Sequence, residues 1–198
     1  MAQAAPAAGI TQPAGRYEDL LRAAKQDPAR ADYTALRMAY AAGPSYDPMA
    51  GSPRNQAEVS RALVAQDWTG ALAQAEAQLD QFWLDGEMHL LAVLAAERLG
   101  NKEVAERHAV AGAGLIRSVL RSGSGVSPAS AFTVINIGEE YTLLKTMKLQ
   151  RTRQALIREN GHAYDQLTAV SADGRTAQVY FNVDLLFAGY ARTIPGAG

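Results

Sequence analysis

"SGSGVSPASAFTVINIGEEY", residues 122–141, is where the chain changes its periodicity. Before it, apolar residues recur at helical spacing; after it, they alternate as in strands. That change sets the fold class as α+β, an antiparallel helix array followed by a small antiparallel β-meander with one short helix. The stretch itself is either a loop that cradles a ligand or the seam between the two parts. Gly123 and Gly125 can adopt positive φ and close a long helix, while Ser127-Pro128 is an N-cap and N1 pair opening a short helical turn. A phosphate cradle follows a strand and opens a helix with a lysine; this loop follows a helix, and no lysine is near. "GVSPA" matches a nucleophile elbow only in its first and third positions. The stretch is expected to be a seam.

On the N-terminal side, "RYEDLLRAAKQ" places Tyr17, Leu20, Leu21 and Ala24 on one helical stripe, ended by Asp27-Pro28. In "DYTALRMAYAAG", Asp32 can cap and Gly43-Pro44 stops the helix. A loop, "GPSYDPMAGSP", is expected to lie across the surface. Helices are then expected at 69–83, 86–99 and 101–121. "QDWTGA" at 66–71 and "GNKEVA" at 100–105 occupy matching places, Gln66 with Gly100 and Ala71 with Ala105, a period of 34 residues. That is the period of tetratricopeptide helix pairs, in which a small residue lets two helices approach. The usual aromatic and proline positions are missing, so the array is read as tetratricopeptide-like.

On the C-terminal side, "FTVINI" is strand-like, and "GEEYTLLKTMK" is a short helix whose acids and lysines suit the helix dipole. Asn160-Gly161 and Asp173-Gly174 both suit type I′ turns, which predicts a three-stranded meander. Two-residue turns would set Ile157 opposite Tyr164, Tyr164 opposite Val183 and Gln166 opposite Phe181. Ile157, Tyr164, Val170, Val179, Phe181 and Val183 would then form the core face, and Arg158, Asp165, Tyr180 and Asn182 the other. The expected organisation is a disordered segment over 1–15, a helical part over 16–121, an α+β part over 122–187 packed on it as one cooperative unit, and a flexible tail over 188–198.

Composition narrows the function. The 198 residues include 19 basic and 20 acidic side chains, a net charge of −1, which gives no global reason to bind nucleic acid or an anionic membrane. No apolar run approaches the roughly 20 residues of a membrane span. Without cysteine there is no disulfide, thiolate nucleophile or Cys-ligated metal. The start, "MAQAAPAAGITQPAG", lacks the apolar region of a signal peptide; it reads like the beginning of an exported chain after cleavage, or more plainly like an ordinary cytosolic N-terminus.

The residue types able to carry chemistry are few. Candidate binding residues are Ser127, Glu139, Glu140 and Tyr141 at the seam, Asp165, Tyr180 and Asn182 on the sheet, and His108 on the helix expected at 101–121. Adjacent glutamates look like a general acid/base pair, but neighbours on a helix diverge by about 100°, so they suit the first turn as dipole-favouring acids. His89 and His108 differ by about 6 Å in height on paired helices, so they can meet, yet neither has a clean i, i+4 ligand partner. His108 is expected to be a buried histidine with a hydrogen-bond partner, and His162 a surface partner of Glu159 across the strand pair. No catalytic residue, metal or cofactor is assigned, and no hydrolysis of generic ester, phosphate or peptide substrates is expected.

"LRMAYAAGPSYDP", "GLIRSVLRSGSGVSPASAFTVINIGEEYTLL", "QALIRENGHAYDQL" and "VYFNVDLLF" together resemble the bacterial domain-of-unknown-function family 4919, over about Tyr17 to Phe187. That family's central motif, SGDG-x-SP-x-TAF, often has aspartate where this chain has Ser124 and often threonine where it has Ser130. The resemblance implies frequent export signals, hence a periplasmic or secreted bacterial protein, and it implies no activity. Two functions remain open. One is a non-enzymatic protein-interaction or scaffold module whose partner is another protein; the other is a hydrolase or small-ligand binder with its site at the seam, drawing on Ser127, Glu139, Glu140, Tyr141 and His108.

Overall fold

The computed structural model describes residues 15–51 and 56–193. Its elements run α1 (Arg16–Gln26), α2 (Tyr33–Ala42), α3 (Ala57–Val64), α4 (Trp68–Gln81), α5 (Gly86–Arg98), α6 (Lys102–Leu120), a 3-10 turn (Pro128–Ser130), β1 (Phe132–Thr133), α7 (Ile137–Thr146), β2 (Leu149–Glu159), β3 (His162–Ser171), β4 (Thr176–Asn182) and α8 (Asp184–Thr193). The described chain is α+β, helices first and then the sheet.

Helix boundaries are chemical. Asp32, Asp67, Asp85, Asn101 and Asn136 each cap a helix by accepting a backbone N–H three residues on. The 34-residue spacing reappears as backbone geometry at two helix junctions. Gln66 and Gly100 both take positive φ (60° and 72°). The next residues, Asp67 and Asn101, donate their N–H to Ala62 and Ala96, each at 2.9 Å. Ala71 and Ala105 are buried four residues further on. Both junctions are the same left-handed helix stop followed directly by an N-cap.

The sheet order is β1-β4-β3-β2. The expected meander is β2–β3–β4, and β1 joins it in parallel to β4, so the sheet is mixed. Asn160 (φ 50°) and Gly161 (φ 82°) make the expected two-residue turn, with Ile157 opposite Tyr164. The second hairpin differs from the expected register by one residue: Tyr164 faces Asn182, Asp165 faces Phe181 and Gln166 faces Tyr180. The cause is a three-residue loop, Ala172 to Gly174. Ser171 and Arg175 close it, and the Ser171 hydroxyl bonds both Asp173 and the Arg175 carbonyl. A one-residue change swaps faces. The core face is therefore Ala163, Leu167, Ala169, Val179, Phe181 and Val183, with Asp165 beside them, while Ile157, Tyr164, Val170, Tyr180 and Asn182 lie on the other.

Two apolar clusters join through α6: Ala111 and Leu115 belong to the array cluster with Leu36, Tyr40 and Trp83, and Val119 to the sheet cluster with Phe132, Leu143 and Phe181. Two further expectations are corrected. The loop after α2 does not merely cross the surface: Tyr46 is buried and donates to the Ile135 carbonyl at 2.5 Å. Residues 188–193 are not tail but the end of α8, whose Leu186 enters the sheet core. The expectations for residues 1–14 and 194–198 lie outside the described residues.

Candidate functional site

The opening motif folds around one carbonyl. Ser130 O accepts the N–H groups of Ser124 and Gly125 at 2.9 and 2.8 Å. Gly125 takes φ 69°, and a Cβ there would stand 2.3 Å from the Phe132 ring. Gly125 in turn accepts Tyr180 N–H at 2.8 Å, tying the loop to β4. Ser127 precedes the 3-10 turn, but its side chain makes no backbone cap; it bonds the Ser130 hydroxyl at 3.0 Å. All of this is backbone fixation between the two parts.

Beside it lies a buried ion pair that holds the parts together. Arg37 of α2 is 1% exposed and donates to both carboxylate oxygens of Glu139 at 2.6 Å, to Ser118 Oγ at 2.8 Å and to Thr133 O at 2.9 Å. Glu139 also accepts Ile135 N–H at 2.9 Å. One guanidinium thus joins α2, α6, β1 and α7. The space left at this seam, between Asp85, Asn136 and Glu139, is about 20 Å³, enough for about one water. It is too small for a substrate.

Glu140 points the other way, toward the sheet, and is 1% exposed. Its Oε1 has no hydrogen-bond partner among the described residues. Burial first, and then the nearby Asp165 carboxylate, raises its pKa well above the ordinary value, opposed by Arg151. Asp165 is raised as well, chiefly by desolvation, and accepts from Gln154 at 2.6 Å. Arg151 lies over the Tyr141 ring at 5.2 Å and bonds Gln154. Glu140, Tyr141 and Asp165 therefore gather around Arg151. Two carboxyls with raised pKa values resemble an acid/base pair, but the more perturbed one is sealed from solvent.

The open surface next to this cluster is β2. Of its eleven residues only Leu149 and Ile157 are even partly buried, and the strand is the edge of the sheet. A register shift between Arg151 and Arg153 bends its first part. Leu156, opposite Asp165, is 51% exposed, and Arg158 stacks over Phe187 of α8 at 5.4 Å. These residues form a half-apolar shelf bearing arginines.

The remaining expected site residues are elsewhere. Tyr180 joins a polar ladder on the far face with Gln166 and Gln178. Asn182 accepts the Asp184 N–H, starting α8. His162 faces Glu159 in register, but its side chain bonds Asp184 at 2.5 Å, which corrects the expected surface pair. His108 meets His89 in the helical part, Nδ1 to Nδ1 at 2.9 Å, remote from the seam residues. Among the described residues no set of three His, Asp or Glu side chains is arranged to hold a metal ion. Arg37 and Arg151 are the functional-looking residues that spacing did not single out, whereas the meeting of His89 with His108 is one that spacing allowed. Only the odd placement of Arg37 on the buried stripe of α2 signalled one of them.

A model of the family described as Domain of unknown function (DUF4919) matches residues 12–192. The chain belongs to DUF4919. No curated protein and no solved structure matches it, so DUF4919 membership brings a family and no activity. Within the opening motif, Ser124 and Ser130 bond each other at 3.0 Å.

Proposed function

We propose that this DUF4919 protein is a non-enzymatic interaction module that docks an extended segment of a protein partner along β2. The observation that carries the proposal is the strand itself: eleven residues, at the sheet edge, exposed on both faces. Edge strands are usually short or covered, because their unpaired N–H and C=O groups recruit other chains. A partner strand added there would gain main-chain hydrogen bonds, with alternate side chains resting on Leu156 and Phe187. Arg151, Arg153 and Arg158 outnumber Glu159 on the strand, so the favoured segment alternates acidic and apolar residues.

The helical part is read as a tetratricopeptide-like array that stiffens this platform; the repeated stop-and-cap junction at 66–67 and 100–101 supports that. The alternative, a hydrolase or small-ligand site at the seam, is disfavoured by the void of about 20 Å³ and by the commitment of Glu139 to Arg37. No helix among the described residues is long and apolar enough to cross a membrane. A periplasmic or secreted location is part of the proposal, so the partner is sought in the periplasmic and secreted fractions.

The test is affinity capture from those fractions with the wild-type chain and with Arg153→Glu/Leu156→Glu, both exposed positions. One stoichiometric partner held by the wild type and released by the double variant is the expected result. A partner held equally by both would refute docking on β2.

A further inference from the structure

The helical part contains a second feature, independent of β2. A groove of about 240 Å³ lies between α1, α4 and α6, with His89 and His108 at its floor. His89 Nε2 stands 2.9 Å from the Trp83 carbonyl oxygen. A carbonyl only accepts, so His89 Nε2 carries the proton. Desolvation pushes the His89 pKa down to about 3, with the neighbouring His108 adding to it, so the ring is neutral and its Nδ1 is a lone pair. The 2.9 Å contact between the Nδ1 atoms then requires His108 to donate from Nδ1.

The consequence falls on the last atom of the chain. His108 Nε2 is left as an acceptor, and desolvation, followed by Arg107, lowers the His108 pKa and keeps that nitrogen unprotonated. It faces Glu76 Oε1 across 4.0 Å. Two acceptors with no proton between them call for a donor. A metal ion at about 2.0–2.1 Å from each would have to subtend about 150°, well beyond a tetrahedral angle. A nitrogen donor at about 2.9 Å from each subtends about 90°, which an ammonium accommodates. The other wall is cationic: Lys25 and Arg107 line the same groove, Arg107 held by the Lys25 carbonyl at 2.7 Å and Lys25 near Asp80 at 3.7 Å.

We propose that this groove binds a small zwitterion of free-amino-acid size, its ammonium bridging Glu76 and His108 and its carboxylate turned to Arg107 and Lys25. The volume suits such a molecule and is below that of drug-sized ligands, which need about 300 Å³ or more. The Trp83 ring, edge-on to His89 at 4.9 Å, supplies an apolar surface for the ligand's side chain.

The test is ligand-observed saturation-transfer NMR on the purified full chain with the twenty protein L-amino acids, their N-acetyl derivatives and the corresponding simple amines. Transfer to one or a few free amino acids is expected, with at least a tenfold loss of affinity on N-acetylation and in amines lacking the carboxylate. Glu76→Gln, at a half-exposed side chain, leaves the fold intact and should weaken binding at least tenfold. His108→Leu, checked for folding by circular dichroism, should do the same. No transfer to any free amino acid, equal transfer to the N-acetyl forms or to the amines, or full binding by Glu76→Gln would each overturn the proposal.

Discussion

Replacing Glu139 by glutamine leaves the Arg37 guanidinium in the interior without its counter-charge. In the wild type that group makes four hydrogen bonds, two of them to the carboxylate, at 1% exposure. Removing one partner of a buried, hydrogen-bonded pair costs about 3–5 kcal/mol. Glutamine still offers one oxygen, so the expected loss is about 3 kcal/mol. For a domain of this size that corresponds to a fall in Tm of about 6–12 °C. The double variant Arg37→Met/Glu139→Leu removes both charges. It forfeits the bonds to Ser118, to the Thr133 carbonyl and from the Ile135 N–H, each worth about 1 kcal/mol, and should therefore lose about 3 kcal/mol, well short of the sum of its two single losses. Urea denaturation followed by far-UV circular dichroism and tryptophan fluorescence measures all the variants. A loss below about 1 kcal/mol for Glu139→Gln, or a double variant as damaged as the sum of its singles, would refute the role given to this pair.

Gly125→Val should destabilise by about 2–4 kcal/mol, since the residue adopts φ 69° and its Cβ would meet Phe132 at 2.3 Å; an unchanged urea midpoint would contradict that. Asp85 is buried, and desolvation raises its carboxyl from 3.8 to about 6. A raised carboxyl favours the protonated fold: no penalty exists below the unfolded pKa, and it grows as pH rises toward about 6 and then stays constant. Asp85→Asn keeps the cap on Met88 and should match the wild type near pH 4 and exceed it by up to about 3 kcal/mol at pH 7; a pH-independent difference would sink the assignment. Glu140→Gln should likewise be at least as stable as the wild type at neutral pH, because burial raises its carboxyl well above the ordinary value and so penalises the ionised form; a large loss in thermal unfolding would show that the carboxyl is ionised and paired.

Local chemistry was legible in the sequence. Asp32, Asn101 and the Asn160-Gly161 pair act within a few residues of themselves, so their caps and turn could be read directly. The change of period at 122–141 gave the class, because its glycines and Ser-Pro pair have local reasons to be there. The errors arose where one residue or one distant contact decides. Asp173-Gly174 admits either a two- or a three-residue loop, and Ser171 tips it to three, which moved Asp165 to the face opposite Tyr180 and Asn182. Strand β1 is two residues long and pairs only with β4, 49 positions later in the register, so no periodicity could announce it. Arg37 and Glu139 are 102 residues apart. The meeting of His89 with His108 was permitted by spacing, but the direction of their hydrogen bond depends on the Trp83 carbonyl, which no pattern of side chains encodes.

The central claim, that β2 is a docking edge, is tested most directly by photo-crosslinking in the cells that produce the protein. A benzophenone amino acid is placed at Leu156 on β2 and, in a second strain, at Leu94 on α5, which is equally exposed at 52% against 51%. One discrete adduct from position 156 and none from position 94 is the predicted result; an adduct from position 94 alone, or none from position 156 in any cell fraction, would contradict it.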